Sequence, residues 1–269
     1  MSASAHDPAL SMAAVTERLR TAGCVFADEE AALLAGAADS PEALRTMVEQ
    51  RVAGLPLEHI VGWAEFCGIR IALEPGVFVP RRRSELLVRL ASARVGPGSV
   101  VVDLACGSGA IGAAIAARAA SAAAAVEVHA CDIDPAAVRC ARRNLSAAGG
   151  HVYAGDLYEP LPVALRGQVS VIAANVPYVP TEAVVIMPAE ARMHEPLLAL
   201  DGGSDGLDIL RRAAADAGAW LEPAGHLLIE SSRGQAQAAA AVFEAAGLAA
   251  EIAMDDDLGA TVIVGQLLL

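Results

Sequence analysis

Val100-Val101-Val102-Asp103-Leu104-Ala105-Cys106-Gly107-Ser108-Gly109 is the stretch that decides the fold of this chain. Valines and a leucine form an apolar run of strand length with an acid near its end. Glycines then set a tight turn where helical sequence begins at Ala110. An apolar strand that passes through a glycine turn into a helix starts a doubly wound α/β sheet. Its loop lies at the carboxyl end of the strand, where such sheets take their ligands.

Downstream the same alternation continues. Candidate strands are Ser99 to Leu104, Val126 to Cys131, His151 to Ala154, Val169 to Ala174, Gly225 to Glu230, Leu248 to Met254 and Thr261 to Leu268. Candidate helices fill Ala110 to Ala120, Pro135 to Ala148, Leu207 to Ala219 and Gly234 to Ala246. Strands alternating with helices of this length predict a mainly parallel sheet covered on both faces. The last two strands are separated only by Asp255-Asp256-Asp257, which predicts an antiparallel final pair.

Upstream the chain is different. From Ser11 to about Gly54 it is helical in pattern, with Met12, Val15 and Leu19 spaced for one face and Ser40-Pro41 reading as an N-cap followed by proline at the first helical position. Between Trp63 and Pro80 the apolar residues Phe66, Ile69, Ile71, Leu73, Val77 and Val79 alternate around Glu74-Pro75-Gly76, which predicts a hairpin joining two domains. A helix over roughly Ser84 to Val95 follows.

Composition narrows the function classes. All 19 basic residues are Arg, and alanine runs such as Ala122 to Ala125 recur, so the raised apolar fraction reflects compositional bias. No apolar stretch reaches membrane-spanning length, and the first residues, among them His6, Asp7, Glu17 and Arg18, lack the basic start and apolar block of a secretion signal. The five cysteines are scattered and never form a Cys-x-x-Cys pair, as expected of reduced thiols in the cytoplasm and not of a metal site. A net charge of −13 disfavours direct nucleic-acid binding, which depends on cations neutralising phosphates. Arg81-Arg82-Arg83 is either a local anion contact or the solvated start of a helix.

The glycine loop admits two cofactor classes. Gly107-Ser108-Gly109-Ala110-Ile111-Gly112 satisfies the dinucleotide pattern Gly-x-Gly-x-x-Gly, but Asp103 places a carboxylate where a diphosphate would be repelled and an ammonium group welcomed. That favours S-adenosylmethionine, which carries an ammonium and a sulfonium and no phosphate, with S-adenosylhomocysteine as its product. Asp132 ends the second strand and can bind ribose hydroxyls in either class, with Ile133 beside it, while Asp134-Pro135 reads as a helix cap. Gly155-Asp156-Leu157 is either a plain turn or the acceptor and apolar contact for an adenine ring. The expected cofactor contacts are thus Asp103, Ala105, Cys106, Gly107, Gly109, Asp132, Ile133, Asp156, Leu157 and Asn175.

At the end of the fourth strand stands Asn175-Val176-Pro177-Tyr178. An Asn carbonyl and a neighbouring backbone carbonyl can both accept from one planar NH₂ group and aim its nitrogen at a methyl donor, and an aromatic ring can pack on the flat amide. This segment resembles the Asn-Pro-Pro-Tyr motif of amide and exocyclic-amine methyltransferases. The wider chain from about Leu55 resembles the protein-(glutamine-N5) methyltransferases of the release-factor type. The likeness extends over Pro56 to Gly62 with Glu65-Phe66, Val79-Pro80-Arg81, the glycine loop, the tetrapeptide, Glu195 to Gly203 and Asp205-Gly206-Leu207.

The resemblance implies a class I S-adenosylmethionine-dependent methyltransferase, Rossmann-like, with a mainly parallel seven-stranded sheet. It also implies a helical domain over residues 1–55 that recognises substrate, a β-hairpin linker over 56–82 and a methyltransferase domain over 83–269. Catalysis would fall to Asn175, Val176, Pro177 and Tyr178, and substrate binding to Asn175, Pro177, Tyr178, Arg81 and Glu195, with no metal. The implied partner is a protein bearing an exposed glutamine, a release factor or another translation protein. Two departures stand out: Val176 replaces the first proline of the motif, and Arg82-Arg83-Ser84-Glu85 stands where the family has Pro-Asp-Thr-Glu. Alternatives are a small-molecule N-methyltransferase derived from this family, a DNA adenine methyltransferase, which the acidic charge opposes, and a non-catalytic cofactor-binding module.

Overall fold

The computed structural model describes residues 10–187 and 189–268; His6 and Asp7 lie outside them. The chain forms two compact units, Met1–Trp63 and Ala64–Leu269.

The first unit contains helices α1 (Met12–Thr21), α2 (Ala27–Ala37), α3 (Pro41–Val52) and α4 (Leu57–Val61). Val15, Leu19, Ala27, Ala31, Leu34 and Val48 are buried together as its core, whereas Met12 is exposed. Ser40 Oγ accepts from Ala43 N at 3.1 Å and Pro41 begins α3, as the Ser-Pro pair predicted. Glu30 on α2 and Arg51 on α3 are both nearly excluded from water and pair at 2.6 Å, with Arg51 Nη1 also donating to Leu55 O at 2.9 Å. A charge taken out of water needs such partners, so this pair fixes how α2 meets α3.

A two-stranded sheet follows, of β1 (Trp63–Phe66) and β2 (Ile69–Ala72), with all but Trp63 in the second unit. Its turn is Cys67-Gly68, with φ of 51° and 76°, and not the expected Glu74-Pro75-Gly76, which forms a separate turn closed by Val77 N on Glu74 O at 3.2 Å. Two left-handed residues match the twist of a hairpin, and proline with glycine masked that nearer turn in the sequence pattern. Leu57–Val61, within the stretch expected to be hairpin, is helical.

The remaining elements are α5 (Glu85–Ser92), β3 (Val100–Leu104), α6 (Ala110–Ser121), β4 (Glu127–Asp132), α7 (Pro135–Leu145), β5 (His151–Ala154), β6 (Val169–Ala174), α8 (Thr181–Val184), α9 (Ala189–His194), α10 (Asp208–Ala217), β7 (Leu221–Glu230), α11 (Ala236–Ala245), β8 (Leu248–Asp255) and β9 (Ala260–Leu267). Seven strands form one sheet in the order β5-β4-β3-β6-β7-β9-β8, parallel except for the antiparallel pairs β7-β9 and β9-β8. Strand β7 starts four residues before the expected Gly225. Pro223 and the left-handed Ala224 sit at an irregularity in its pairing with β6, and they read as a break in the sequence although the strand runs through them.

Both faces of the sheet are covered, so the alternation of strand side chains divides the core in two. Val101, Val171, Ala173 and Leu228 pack with Leu87 and Ala91 of α5 and Ile115 of α6. Val102, Leu104, Ile172, Ala174 and Ile229 pack with Leu210 of α10 and Phe243 of α11. The order of strands reverses between β3 and β6, and a crevice opens there beyond their carboxyl ends.

Candidate active site

At that switch point lies a cavity of about 520 Å³. Of the expected cofactor residues, Ala105, Cys106, Gly107, Asp132, Ile133, Asp156, Leu157 and Asn175 line it, together with the tetrapeptide, Arg81 and Glu195. Asp103 and Gly109 are not among the lining residues. Gly109 starts α6 with φ of 73°, and a Cβ there would lie 3.0 Å from Ala141 on α7, so it serves helix packing.

Asp103 is fully buried, and its Oδ2 accepts from Gly112 N at 2.8 Å, tying β3 to the first turn of α6. Burial pushes its carboxyl up to about 8, against the stabilising Gly112 N–H, with the nearby Asp132 charge adding to the rise. An unfolded aspartate titrates near ~3.9. The folded state therefore holds a proton that the unfolded state releases, and stability should fall as pH rises from about 4 to 8, by up to about 1.4 kcal/mol per pH unit. Urea unfolding at about pH 5 and pH 8 checks this: Asp103→Asn should lose less stability over the interval than wild type. Equal losses would assign the pH dependence elsewhere.

Asp132, and not Asp103, is the strand-end carboxylate that lines the cavity beside the glycine loop. Its Oδ2 accepts from Gly107 N and its Oδ1 from Asp134 N, at 2.8 and 2.9 Å, so it shapes the glycine loop and the start of α7 together. Its carboxyl is raised chiefly by burial, with those N–H groups opposing. Asp134 caps α7 through Ala136 N at 2.8 Å, as its Asp-Pro sequence predicted. Leu157 has φ of 45° and its carbonyl accepts from Cys131 Sγ at 2.9 Å, which fixes the turn beside Asp156.

Among the described residues three arginines line the cavity, and each is paired with a carboxylate. Arg81 pairs with buried Glu195 and lies over the Phe78 ring at 5.0 Å; Arg83 pairs with Glu230 at 2.9 Å and Arg212 with Asp156 at 2.7 Å. A diphosphate would find carboxylates and no uncommitted cation, whereas a nucleoside bearing hydroxyls and a positive charge fits this donor set.

Asn175 follows the last residue of β6, and Ala174 is in register with Ile229 of β7, which brings Asn175 beside Glu230. Asn175 Nδ2 donates to Ser84 Oγ at 3.3 Å. Ser84 Oγ donates to Glu230 Oε2 at 2.5 Å, and Tyr178 Oη donates to Glu230 Oε1 at 3.2 Å. The Tyr178 hydroxyl is held well above its ordinary value, first by burial and then by the Glu230 charge, so it stays a donor. Val176, in place of the motif's first proline, is 1% exposed and joins the core beneath the site.

Ser84, quoted only as part of the departure at Arg82 to Glu85, and Glu230 were not read as site residues. Glu230 had a usable signal, since it ends a strand as Asp132 does and as Asp103 nearly does.

The matched family is the methyltransferase small domain, over residues 68–195. The release factor glutamine methyltransferase of Geobacter sulfurreducens is 35% identical over 225 residues, covering 83% of this chain and 77% of that protein. The 4-amino-L-phenylalanine/4-methylamino-L-phenylalanine methyltransferase of Streptomyces pristinaespiralis is 35% identical over 207 residues, covering 74% of this chain and 69% of that protein. Among solved structures, a methyltransferase from Pyrococcus furiosus shares the fold with a TM-score of 0.56 at 15% identity, covering 85% of this chain and 98% of that one. The reversal of strand order above a glycine loop, the Asn-Val-Pro-Tyr turn facing the same cavity and these similarities agree: the chain belongs to the release factor glutamine methyltransferase family, and it is a methyltransferase.

Proposed function

We propose that this chain transfers the methyl group of S-adenosylmethionine to the side-chain amide nitrogen of a glutamine in a protein, with a release factor as the first candidate. The carrying observation is Asn175, whose nitrogen is engaged by Ser84 while its residue lines the cavity next to Pro177 and Tyr178. With the nitrogen so engaged, Oδ1 remains to accept from a substrate NH₂, and the Val176 carbonyl is the natural second acceptor. Tyr178 offers its ring face to the flat amide.

Asp132 would hold the ribose hydroxyls, Asp156 and Leu157 the adenine, Ile133 a face of the nucleoside, and the Ala105-Cys106-Gly107 backbone the methionine part. When bound, the sulfonium supplies an electrophilic methyl group. The protein's own task is orientation, because an amide nitrogen is a poor nucleophile whose lone pair is shared with its carbonyl. Helices α1 to α3 are proposed to hold the protein substrate, as the family resemblance implies. No helix among the described residues is long and apolar enough to cross a membrane, in keeping with the cytoplasmic setting that this reading requires. The net charge of −13 supports a protein and not a nucleic acid as the acceptor.

Calorimetry tests the cofactor: adenosylhomocysteine should bind and NADH should not, and the reverse would overturn the assignment. The substrate is tested with labelled cofactor, purified release factors, ribosomal proteins and free 4-aminophenylalanine, followed by peptide mass spectrometry. Label on a protein glutamine is expected. The similarity to the Streptomyces pristinaespiralis enzyme favours a free aromatic amine as the second reading, and label found only there would replace the first.

A further inference from the structure

We propose that Glu230 is a positioning residue that sets the orientation of the Asn175 amide through the hydroxyl of Ser84. The inference rests on the reading of Asn175 as the amide acceptor, and it concerns what makes it one.

An asparagine amide is nearly symmetric in shape, so a cavity wall of the right size accepts it either way round. One orientation presents Oδ1 to the substrate and can accept from its NH₂ group. The other presents a second NH₂ and repels it. Packing alone decides weakly between them, but a directed chain of hydrogen bonds decides strongly.

Glu230 is that chain's fixed end. It is fully buried, and Arg83 Nε donates to its Oε1 at 2.9 Å, joined there by Tyr178 Oη at 3.2 Å. An arginine can only donate, so this side of the carboxylate is an acceptor. Oε2 then accepts from the Ser84 hydroxyl at 2.5 Å, within the range of hydroxyl bonds to a carboxylate. With its single proton committed, Ser84 Oγ can only accept from its other neighbour. That neighbour is Asn175, and it must therefore offer Nδ2, as it does at 3.3 Å. The direction set at Glu230 passes along two bonds and leaves Oδ1 for the substrate.

The arrangement also gives Arg83 a place. Its guanidinium lies 5.7 Å from the Tyr178 ring centroid while bonded to Glu230, so one cation steadies both the fixed end of the chain and the aromatic wall of the site. Arg83, one of the two basic residues of the departure from the family pattern, is thus engaged inside the network.

Three variants test the relay. Ser84→Ala removes the bridge, Ser84→Thr keeps it, and Glu230→Gln can offer an N–H to Ser84 and so free the hydroxyl proton to point at Asn175. Expected are a fall in kcat of about tenfold for Ser84→Ala and about thirtyfold for Glu230→Gln, with Ser84→Thr within about threefold of wild type. Adenosylhomocysteine affinity should stay within about twofold in all three. Equal losses in Ser84→Ala and Ser84→Thr, or full activity of Ser84→Ala and Glu230→Gln beside an inactive Asn175→Ala, would overturn the relay and leave the methyl-transfer reading standing. Side-chain amide NMR gives a readout that needs no substrate. The ¹⁵N–¹H₂ signals of Asn175 should exchange slowly in wild type and Ser84→Thr and rapidly in the other two, and unchanged exchange across all of them would sink the proposal even if every acceptor failed. Melting curves on each variant identify any loss that comes from unfolding.

Discussion

Asn175→Ala should lower turnover by about a hundredfold or more while adenosylhomocysteine binds almost as tightly as before. The side chain removed is the one placed to accept from the reacting NH₂ group, and losing one preorganised acceptor of that kind commonly costs two to three powers of ten in rate, about 3–4 kcal/mol of barrier. The loop that shapes the cofactor end is held by other bonds, from Asp132 to Gly107 N and Asp134 N, and those stay in place. Asn175→Asp should do no better than alanine. A carboxylate has no proton to give Ser84 Oγ, whose own O–H already points at Glu230, so two acceptors would face each other. Steady-state kinetics with an unmethylated acceptor and calorimetry with adenosylhomocysteine measure both halves, and wild-type turnover in Asn175→Ala would remove the tetrapeptide from the mechanism.

Gly202→Ala should be nearly as damaging, although Gly202 is not among the residues that line the cavity. A Cβ at this position would sit 2.7 Å from Pro177 O and 2.8 Å from Tyr178 Cα, inside any tolerable contact, and those atoms are backbone that no rotamer change can move. Gly202 N also donates to Val179 O at 2.8 Å, and Val179 N to Leu200 O at 3.1 Å, so this segment clamps the tetrapeptide from behind. Gly206 closes the clamp: its φ is 77°, and a Cβ there would lie 2.3 Å from Tyr178 O. An added methyl must push Pro177 and Tyr178 forward by several tenths of an ångström. Displacements of order 1 Å at a reacting centre cost about a hundredfold, so a loss of about thirty- to a hundredfold in kcat is expected with the melting temperature much less affected. Gly96→Ala, where nothing lies within 4 Å, serves as the control and should keep full activity. If Gly202→Ala matched it, the clamp would have no mechanical hold on the site.

Much of this architecture was legible before any coordinates. Strands β3, β4, β5, β6, β8 and β9 lie within one or two residues of where apolar runs and punctuation put them, because period and turn chemistry are local properties of the chain. The Ser40-Pro41 and Asp134-Pro135 caps were readable for the same reason. Where local signals competed, the reading slipped: Glu74-Pro75-Gly76 outweighed Cys67-Gly68 as the hairpin turn, and Pro223 to Gly225 concealed the first half of β7.

By itself the sequence determined a mainly parallel sheet entered through a glycine loop, and an Asn-Val-Pro-Tyr turn at the end of its fourth strand. Short-range patterning suffices for both. Only the tertiary structure decided which of the named residues reach the cavity, since strand direction and burial turn Asp103 down against Gly112 N and leave Asp132 at the loop. It alone brought Ser84 to Glu230 across 146 positions, Arg81 to Glu195 across 114 and Asn175 to Ser84 across 91. A polar side chain carries no mark of its partner in the sequence. Its partner is whatever donor or acceptor the register of the sheet and the closing of the loops place within about 3 Å, and a buried carboxylate such as Glu230 is stable only once those donors have arrived.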